Sequence, residues 1–412
     1  MSPDKFLLYS FILIPCFYII YFAIYKPFIF ILIFLVYKAL VESTLNLFSF
    51  ETGFDLAGLR IYPDDFFLMA ALIGIFIISD KGTYQSTDAV RSFRRLIHYQ
   101  ILLVTVALIV WIFTYGIQTG VNAWRWALMP IFFMVYIFRK FNQLSMDHLQ
   151  KFLVLPGILL ACVTVFRFLT NGVGSFDAVD LITGETQRAT TSSGAFTIWI
   201  SILGIYYFST RLGIIQIISL IALFLVILLL QHRSVWTSVI AGISIIFIYQ
   251  AQFENFSRIT KYLFFILISS LLGLIVRNDS VLIGASSSTG TFDWRVKRWK
   301  SSMTTSRSLI EWILGSVTGP TPVTNRNDYK IFAHSAYIHQ IEYFGVLGLL
   351  LIFAIFIVLW STHKSNTKIG VAIRSLVFSA LFYGVSYGIT VTTFSVLALM
   401  AIYSDQKTKL VQ

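Results

Sequence analysis

The sequence predicts an all-α fold: a polytopic transmembrane helix bundle with one large extracytoplasmic loop. Three observations carry that prediction. Of the 412 residues, 57% are hydrophobic and only 12% are charged, whereas soluble domains are nearer 25% charged. Apolar runs recur along the chain at about the 20-residue length of a helix that crosses a bilayer. The roughly ten-residue alternating strands of a membrane barrel do not occur. Helices are then the available solution, because backbone groups in lipid must pair within their own segment.

Taken in order, the expected spans are 6–24, 27–48, 64–79, 97–116, 124–138, 149–169, 194–210, 213–230, 235–250, 262–276, 336–360, 371–388 and 390–404. That makes about 12 to 13 crossings, with a range of about 11 to 14 because the first and last pairs are the least sharply bounded. The first run lacks a small-residue cleavage site and leads through Lys26 into a second run, so it reads as a membrane segment rather than a signal peptide. Residues 1–412 form a single integral membrane domain with no internal repeat, and 277–335 is the large periplasmic loop within it.

The formal net charge is +12. In a membrane protein the plain source of such an excess is Lys and Arg gathered in cytoplasmic loops, so no nucleic-acid partner is expected. Cys16 and Cys162 both fall in apolar runs, which argues against a disulfide framework or a cysteine metal site. Residues 80–96 carry Lys81, Arg91, Arg94 and Arg95, and residues 139–148 begin with Arg139 and Lys140. Arg258 and Lys261, Lys364 and Lys368, and Lys407 and Lys409 mark three further breaks. All five breaks share one side if the intervening spans are real, and that side is the cytoplasm. The other side then holds 49–63, 117–123, 170–193, the tight break at Gln231-His232-Arg233, and 277–333.

The last of these segments carries eight basic and four acidic residues. Long loops translocate largely regardless of charge, so the topology stands, and a basic outward surface suits an anionic ligand. Four features share this side. Arg188 lies in Q-R-A-T-T-S-S-G-A-F, Arg233 sits beside His232 in a break too short for a loop, and His334 stands at the mouth of a span. In 293–303, helical spacing puts Val296, Trp299 and Met303 on one face and Arg295, Arg298 and Ser302 on the next, as in an interfacial helix.

Plainer readings exist for several of these residues. An Arg at a span end is commonly a snorkelling anchor, which is the reading for Arg211 and Arg374 on the inner side. Arg233 differs, because Trp or Tyr would be the ordinary anchor at that place. A lone His at a span end is commonly an interface residue; its loop context distinguishes His334, and His339 less so. Trp294, Trp299 and Trp312 suit an aromatic belt. Asp64 and Asp65 could form a proton relay, but they more simply cap a helix start.

Several guanidinium groups facing one spot suit phosphate or pyrophosphate, whose oxygens they pair in bidentate fashion. A nearby His can serve as general base for a hydroxyl. No nucleotide-binding fingerprint and no acidic pair for a divalent metal accompany them. The chemistry these parts fit is an activated, lipid-linked pyrophosphate donor used without metal or cofactor.

Here the residues resemble a family. His334-Ser335, nine residues and then Gly345-Val346-Leu347-Gly348 is similar to the signature of the O-antigen polymerase (Wzy-type) and O-antigen ligase superfamily of integral membrane glycosyltransferases. Arg188 to Gly194 resembles that family's arginine loop. His232-Arg233-Ser234 resembles its S-R-G turn, with His for Ser and Ser for Gly. Arg295 to Trp299 and Ile313 to Gly319 resemble two further elements. The resemblance covers about residues 60–404.

The resemblance implies a metal-independent, inverting polysaccharide polymerase acting on undecaprenyl-pyrophosphate-linked oligosaccharide in the bacterial inner membrane. His334 would deprotonate or orient the acceptor hydroxyl, with Arg188 and Arg233 as the other catalytic residues, neutralising the departing diphosphate. Arg295, Arg298, His232, Tyr337 and His339 would contact substrate. Membrane lipid and a chain-length regulator protein are the further expected partners. Two alternatives remain open from the residues: an O-antigen ligase transferring the glycan to lipid A core, and a polysaccharide flippase or transporter.

Overall fold

The computed structural model describes residues 17–42, 54–56, 59–77, 88–141, 144–171, 178–179, 186–187, 190–208, 213–230, 232–250, 299–300, 303, 308–315, 335–361 and 367–411. The helices are α1 (17–25), α2 (Pro27–Glu42), α3 (Pro63–Ile77), α4 (Asp88–Tyr115), α5 (Ile117–Lys140), α6 (Met146–Asn171), α7 (Ser192–Phe208), α8 (Ile214–Leu229), α9 (Arg233–Gln250), α10 (Leu309–Leu314), α11 (Ala336–Ser361), α12 (Lys368–Ser386) and α13 (Val391–Val411). Each expected span overlaps one of them except 262–276, which lies outside the described residues, as do 6–16 with Cys16, 43–48 and most of 277–333. The chain is a helical membrane protein. Among the described residues, Val90–Phe113, Met146–Leu169, Ala336–Ser361 and Lys368–Ser386 are long and apolar enough to cross a bilayer, and four shorter apolar helices accompany them. The strands are confined to two small antiparallel ladders. β1 (Phe54–Leu56) pairs with β2 (Leu59–Ile61), with Leu56 opposite Leu59, and β3 (Ala178–Val179) pairs with β4 (Thr186–Gln187).

Local chemistry sets the helix ends. Pro27 and Pro63 open α2 and α3, where the missing N–H costs nothing and the fixed φ suits the first turn. Asp65 Oδ2 accepts from Tyr62 N at 2.8 Å while Asp65 N donates to Tyr62 O at 2.9 Å, a reciprocal cap of the α3 start. Its neighbour Asp64 reaches instead to α2, where Lys38 Nζ donates to Oδ2 at 3.1 Å.

One expectation is corrected. Residues 117–123 are not a loop: α5 is helical from Ile117. Gly116 alone reverses the chain between α4 and α5, at φ 86° and ψ 164°. Glycine adopts that conformation without the Cβ clash other residues meet, and no proline follows to delay the next helix.

Small residues and hydroxyls join the helices, as they do where lipid removes the hydrophobic drive to associate. α6 and α7 close on Gly157 and Gly204, with Ser201 Oγ donating to Leu153 O at 2.6 Å. α9 and α12 close on Gly242, whose carbonyl accepts from Ser375 Oγ at 2.9 Å, while Trp199 Nε1 of α7 donates to Ser379 Oγ at 3.0 Å. Phe30, Phe34, Phe67 and Phe133 interleave α2, α3 and α5.

The bundle has two distinct ends. At one, Arg94 donates to Phe138 O and Arg139 to Ile75 O, both at 3.1 Å, and Leu144 N donates to Gln406 Oε1 at 3.0 Å. Arg374 Nε donates to Trp360 O at 3.2 Å and lies 4.8 Å over Tyr249. The described basic breaks therefore gather together, and Arg374 is held there by a backbone carbonyl and two aromatic rings. Arg211 lies outside the described residues.

Candidate functional site

The opposite end is built from helix starts. α7 begins at Ser192, α9 at Arg233, α11 at Ala336 and α13 at Val391, while α12 ends at Ser386. Each start presents backbone N–H groups that have no intrahelical acceptor, together with the positive end of a helix dipole.

A buried polar network ties the first two starts together. His232 is 3% exposed and Ser192 is 8% exposed. Nε2 of His232 meets Thr190 O at 2.9 Å, and Nδ1 meets Ser192 Oγ at 3.2 Å. A carbonyl only accepts, so Nε2 carries a proton and donates to Thr190 O, while Nδ1 pairs with the Ser192 hydroxyl. Thr190 Oγ1 lies 2.6 Å from Thr164 Oγ1, which donates to Leu160 O at 2.8 Å, so α6 belongs to the same network. One turn along α7 from Ser192, Phe196 stacks on Tyr383 at 4.6 Å, and Tyr383 stacks on Tyr387 at 5.5 Å. This ladder carries the network across to the last turn of α12.

That last turn receives α11. Ser335 Oγ donates to Gly384 O at 3.3 Å, Ala336 N to Tyr387 O at 3.1 Å and Tyr337 Oη to Leu381 O at 2.6 Å. Gly384 O, in the last turn that α12 leaves without helical partners, is thus satisfied by Ser335, while Leu381 O and Tyr387 O extend the same contact to α11. The approach depends on a break. Gly345, at φ 63° and ψ −165°, divides α11 into 336–344 and 346–361. Tyr337 and Phe353 stack at 5.1 Å, although a straight helix would hold residues so spaced about 24 Å apart. The segment 336–344 therefore folds back along the rest of its own helix. Trp111 of α4 packs edge-on to Tyr343 at 5.6 Å beside the break. α10, held by a reciprocal Ser308–Glu311 cap, ends against it at Gly315.

Neither a protein-family model nor a curated protein matches the chain. The site therefore rests on its own geometry.

The sequence-predicted residues divide as follows. His334, Arg188, Arg295 and Arg298 lie outside the described residues, and of Arg233 the backbone is described, as the first residue of α9. Described neighbours of three of them lie at this end: Thr190 is two residues after Arg188, His232 precedes Arg233, and Ser335 follows His334. Tyr337 is half-buried and engaged with α12. His339 packs on Tyr343 at 4.0 Å. His232 has both ring nitrogens engaged by the chain itself. Of the segment 293–303, residues 299–300 and 303 are described as helical, and Met303 is 42% exposed. Among the described residues, no three His, Cys, Asp or Glu side chains gather closely enough to hold a metal ion.

Sequence reasoning missed Ser192, Thr190 and Thr164 as holding partners, and Tyr383, Gly384 and Tyr387 as the shelf that receives α11. The second group had a signal in the run Y-G-V-S-Y-G-I-T at 383–390, where two glycines interrupt an apolar stretch.

Proposed function

We propose that the chain is a polysaccharide polymerase of the bacterial inner membrane. It joins undecaprenyl-pyrophosphate-linked repeat units at the outer face by inverting glycosyl transfer, without metal. The observation that carries this reading is that Thr190, His232 and Ser335, described neighbours of Arg188, Arg233 and His334, all lie at the bundle end away from the basic breaks. Thr190 stands two residues after Arg188, His232 one before Arg233 and Ser335 one after His334, which supports assigning these charged residues to one substrate.

In this reading His334 takes the proton of the acceptor sugar hydroxyl as its oxygen attacks the anomeric carbon of the donor. The bond from that carbon to the pyrophosphate oxygen breaks, inverting the centre, and undecaprenyl pyrophosphate departs. Arg188 and Arg233 face the charge that grows on the leaving oxygen, where fixed donors stabilise a transition state most. Helix starts at Ser192 and Arg233 add backbone donors of the same sense. Arg295 and Arg298 hold the diphosphate or the glycan from the loop.

Deletion of the gene tests the class, with surface polysaccharide resolved by gel. Loss of a polymerase leaves a single repeat unit on the acceptor. A bare core with lipid-linked polymer accumulating would assign a ligase instead, and repeat units trapped on the inner face would assign a flippase.

A further inference from the structure

We infer that His339 binds the glycan, its imidazole pairing with sugar hydroxyls in the outer part of the bundle; this rests on the functional reading above and names the sugar, not the diphosphate, as what the ring meets. His339 stands in the segment 336–344, which folds back beside 346–361. Ser335, Ala336, Ile341, Tyr343 and Phe344 around it are buried, whereas His339 itself is half-buried, so a space of at least water size adjoins it. Residues two apart point about 200° apart on a helix, so the ring faces away from Tyr337, which meets α12 and Phe353. It shares a face with Tyr343, one turn on, which meets Trp111 of α4.

The ring is held in place, yet its polar atoms are unused. It lies 4.0 Å from the Tyr343 ring at 30°, and Trp111 braces Tyr343 edge-on at 5.6 Å. His339 N donates to Ser335 O at 3.0 Å, which sets the ring one helical turn beyond the residue that follows His334. Among the described residues neither ring nitrogen has a hydrogen-bond partner, and neither is sealed from the adjoining space. Gln340 Oε1, beside Gly348, is sealed and likewise unpaired. His232, by contrast, has both nitrogens satisfied by the chain. Polar groups in such places are nearly always paired, so a ligand that supplies the partners of His339 gains by it.

A neutral imidazole offers one N–H and one lone pair in the plane of its ring. A sugar hydroxyl both donates and accepts, so two hydroxyls of one sugar satisfy both nitrogens. A diphosphate offers acceptors alone, and it would bring charge among buried apolar residues at high cost.

Saturation-transfer NMR tests this on the full-length protein in lipid nanodiscs, with the repeat-unit oligosaccharide released by mild acid from the producing cells' polysaccharide as the probe. His339→Phe keeps the stack on Tyr343 and should weaken oligosaccharide binding about tenfold, the size of two lost hydrogen bonds. Its melting temperature should hold or rise, because no paired group is lost. His339→Gln keeps a donor and an acceptor and should weaken binding by a smaller factor, which covers the case in which His339→Phe fails to accumulate. Gln340→Leu should leave binding unchanged, because the oxygen it removes is sealed. Wild-type affinity in either His339 variant, a loss that comes with a lowered melting temperature, or an equal loss from Gln340→Leu overturns the inference. Wild-type protein that binds no oligosaccharide overturns it too. The functional reading falls only if the deletion strain keeps its full polysaccharide ladder.

Discussion

Gly315 and Gly345 meet backbone to backbone. A Cβ on Gly345 would lie 2.6 Å from Gly315 N, and a Cβ on Gly315 would lie 2.6 Å from Phe344 N, with the carbonyls of Ile313 and Tyr343 nearer still. Both glycines hold positive φ, 98° and 63°. The contact joins the end of α10 to the break in α11, and it is what allows 336–344 to turn back toward α12.

Alanine at either position is therefore opposed twice, by backbone conformation and by space. The conformational part alone costs about 1–3 kcal/mol, and the neighbouring atoms are backbone that cannot step aside. Gly345→Ala and Gly315→Ala should each lower the melting temperature of the detergent-purified protein markedly, while Gly116→Ala, which meets nothing within 4 Å, should lower it less.

Tyr337→Phe keeps the stack on Phe353 and removes the donor to Leu381 O. Leu381 O keeps its helical donor inside α12, so the change removes one hydrogen bond, worth about 0.5–1.5 kcal/mol. Thermal unfolding followed by tryptophan fluorescence should show that loss, and Tyr337→Ala should show a larger one because the ring contact goes as well.

Much of the fold was legible in the residues. Apolar runs locate the helices because lipid demands length and apolarity of each helix separately, and the one-sided basic breaks follow from charge alone. The reversals were less legible. Nothing in I-Q-T-G-V-N-A announces that Gly116 suffices for a turn, and Y-I-H-Q-I-E-Y-F-G-V-L-G reads as one continuous span. Its break at Gly345 is fixed by Gly315, a partner 30 residues earlier, which no local pattern contains. For the site, the arginines and His334 stood out by charge against an apolar background. The hydrogen bonds of His232 did not, because its partners Thr190 and Ser192 are ordinary residues that only the fold brings to it.

Lys38 and Asp64 offer a test of the outer ends of α2 and α3. Their side chains are 11% and 13% exposed. Removing one partner from a buried pair leaves an uncompensated charge, at a cost of about 3–5 kcal/mol. Lys38→Met should therefore destabilise strongly in a denaturation series, and Lys38→Met combined with Asp64→Leu should recover most of the loss.

At the α9–α12 contact, a Cβ on Gly242 would lie 2.7 Å from Trp199 Cζ2 and closer to Ser379 Oγ. Gly242→Val overfills that contact, which typically costs about 1–3 kcal/mol. It should also break the Trp199–Ser379 hydrogen bond, visible as a shift in tryptophan emission.

The most direct measurement is the chain-length distribution of surface polysaccharide in a deletion strain complemented by wild type, His334→Ala or Arg233→Ala at equal protein levels. The account predicts a full ladder for wild type and a single repeat unit for both variants. A wild-type ladder from His334→Ala and Arg233→Ala would contradict it.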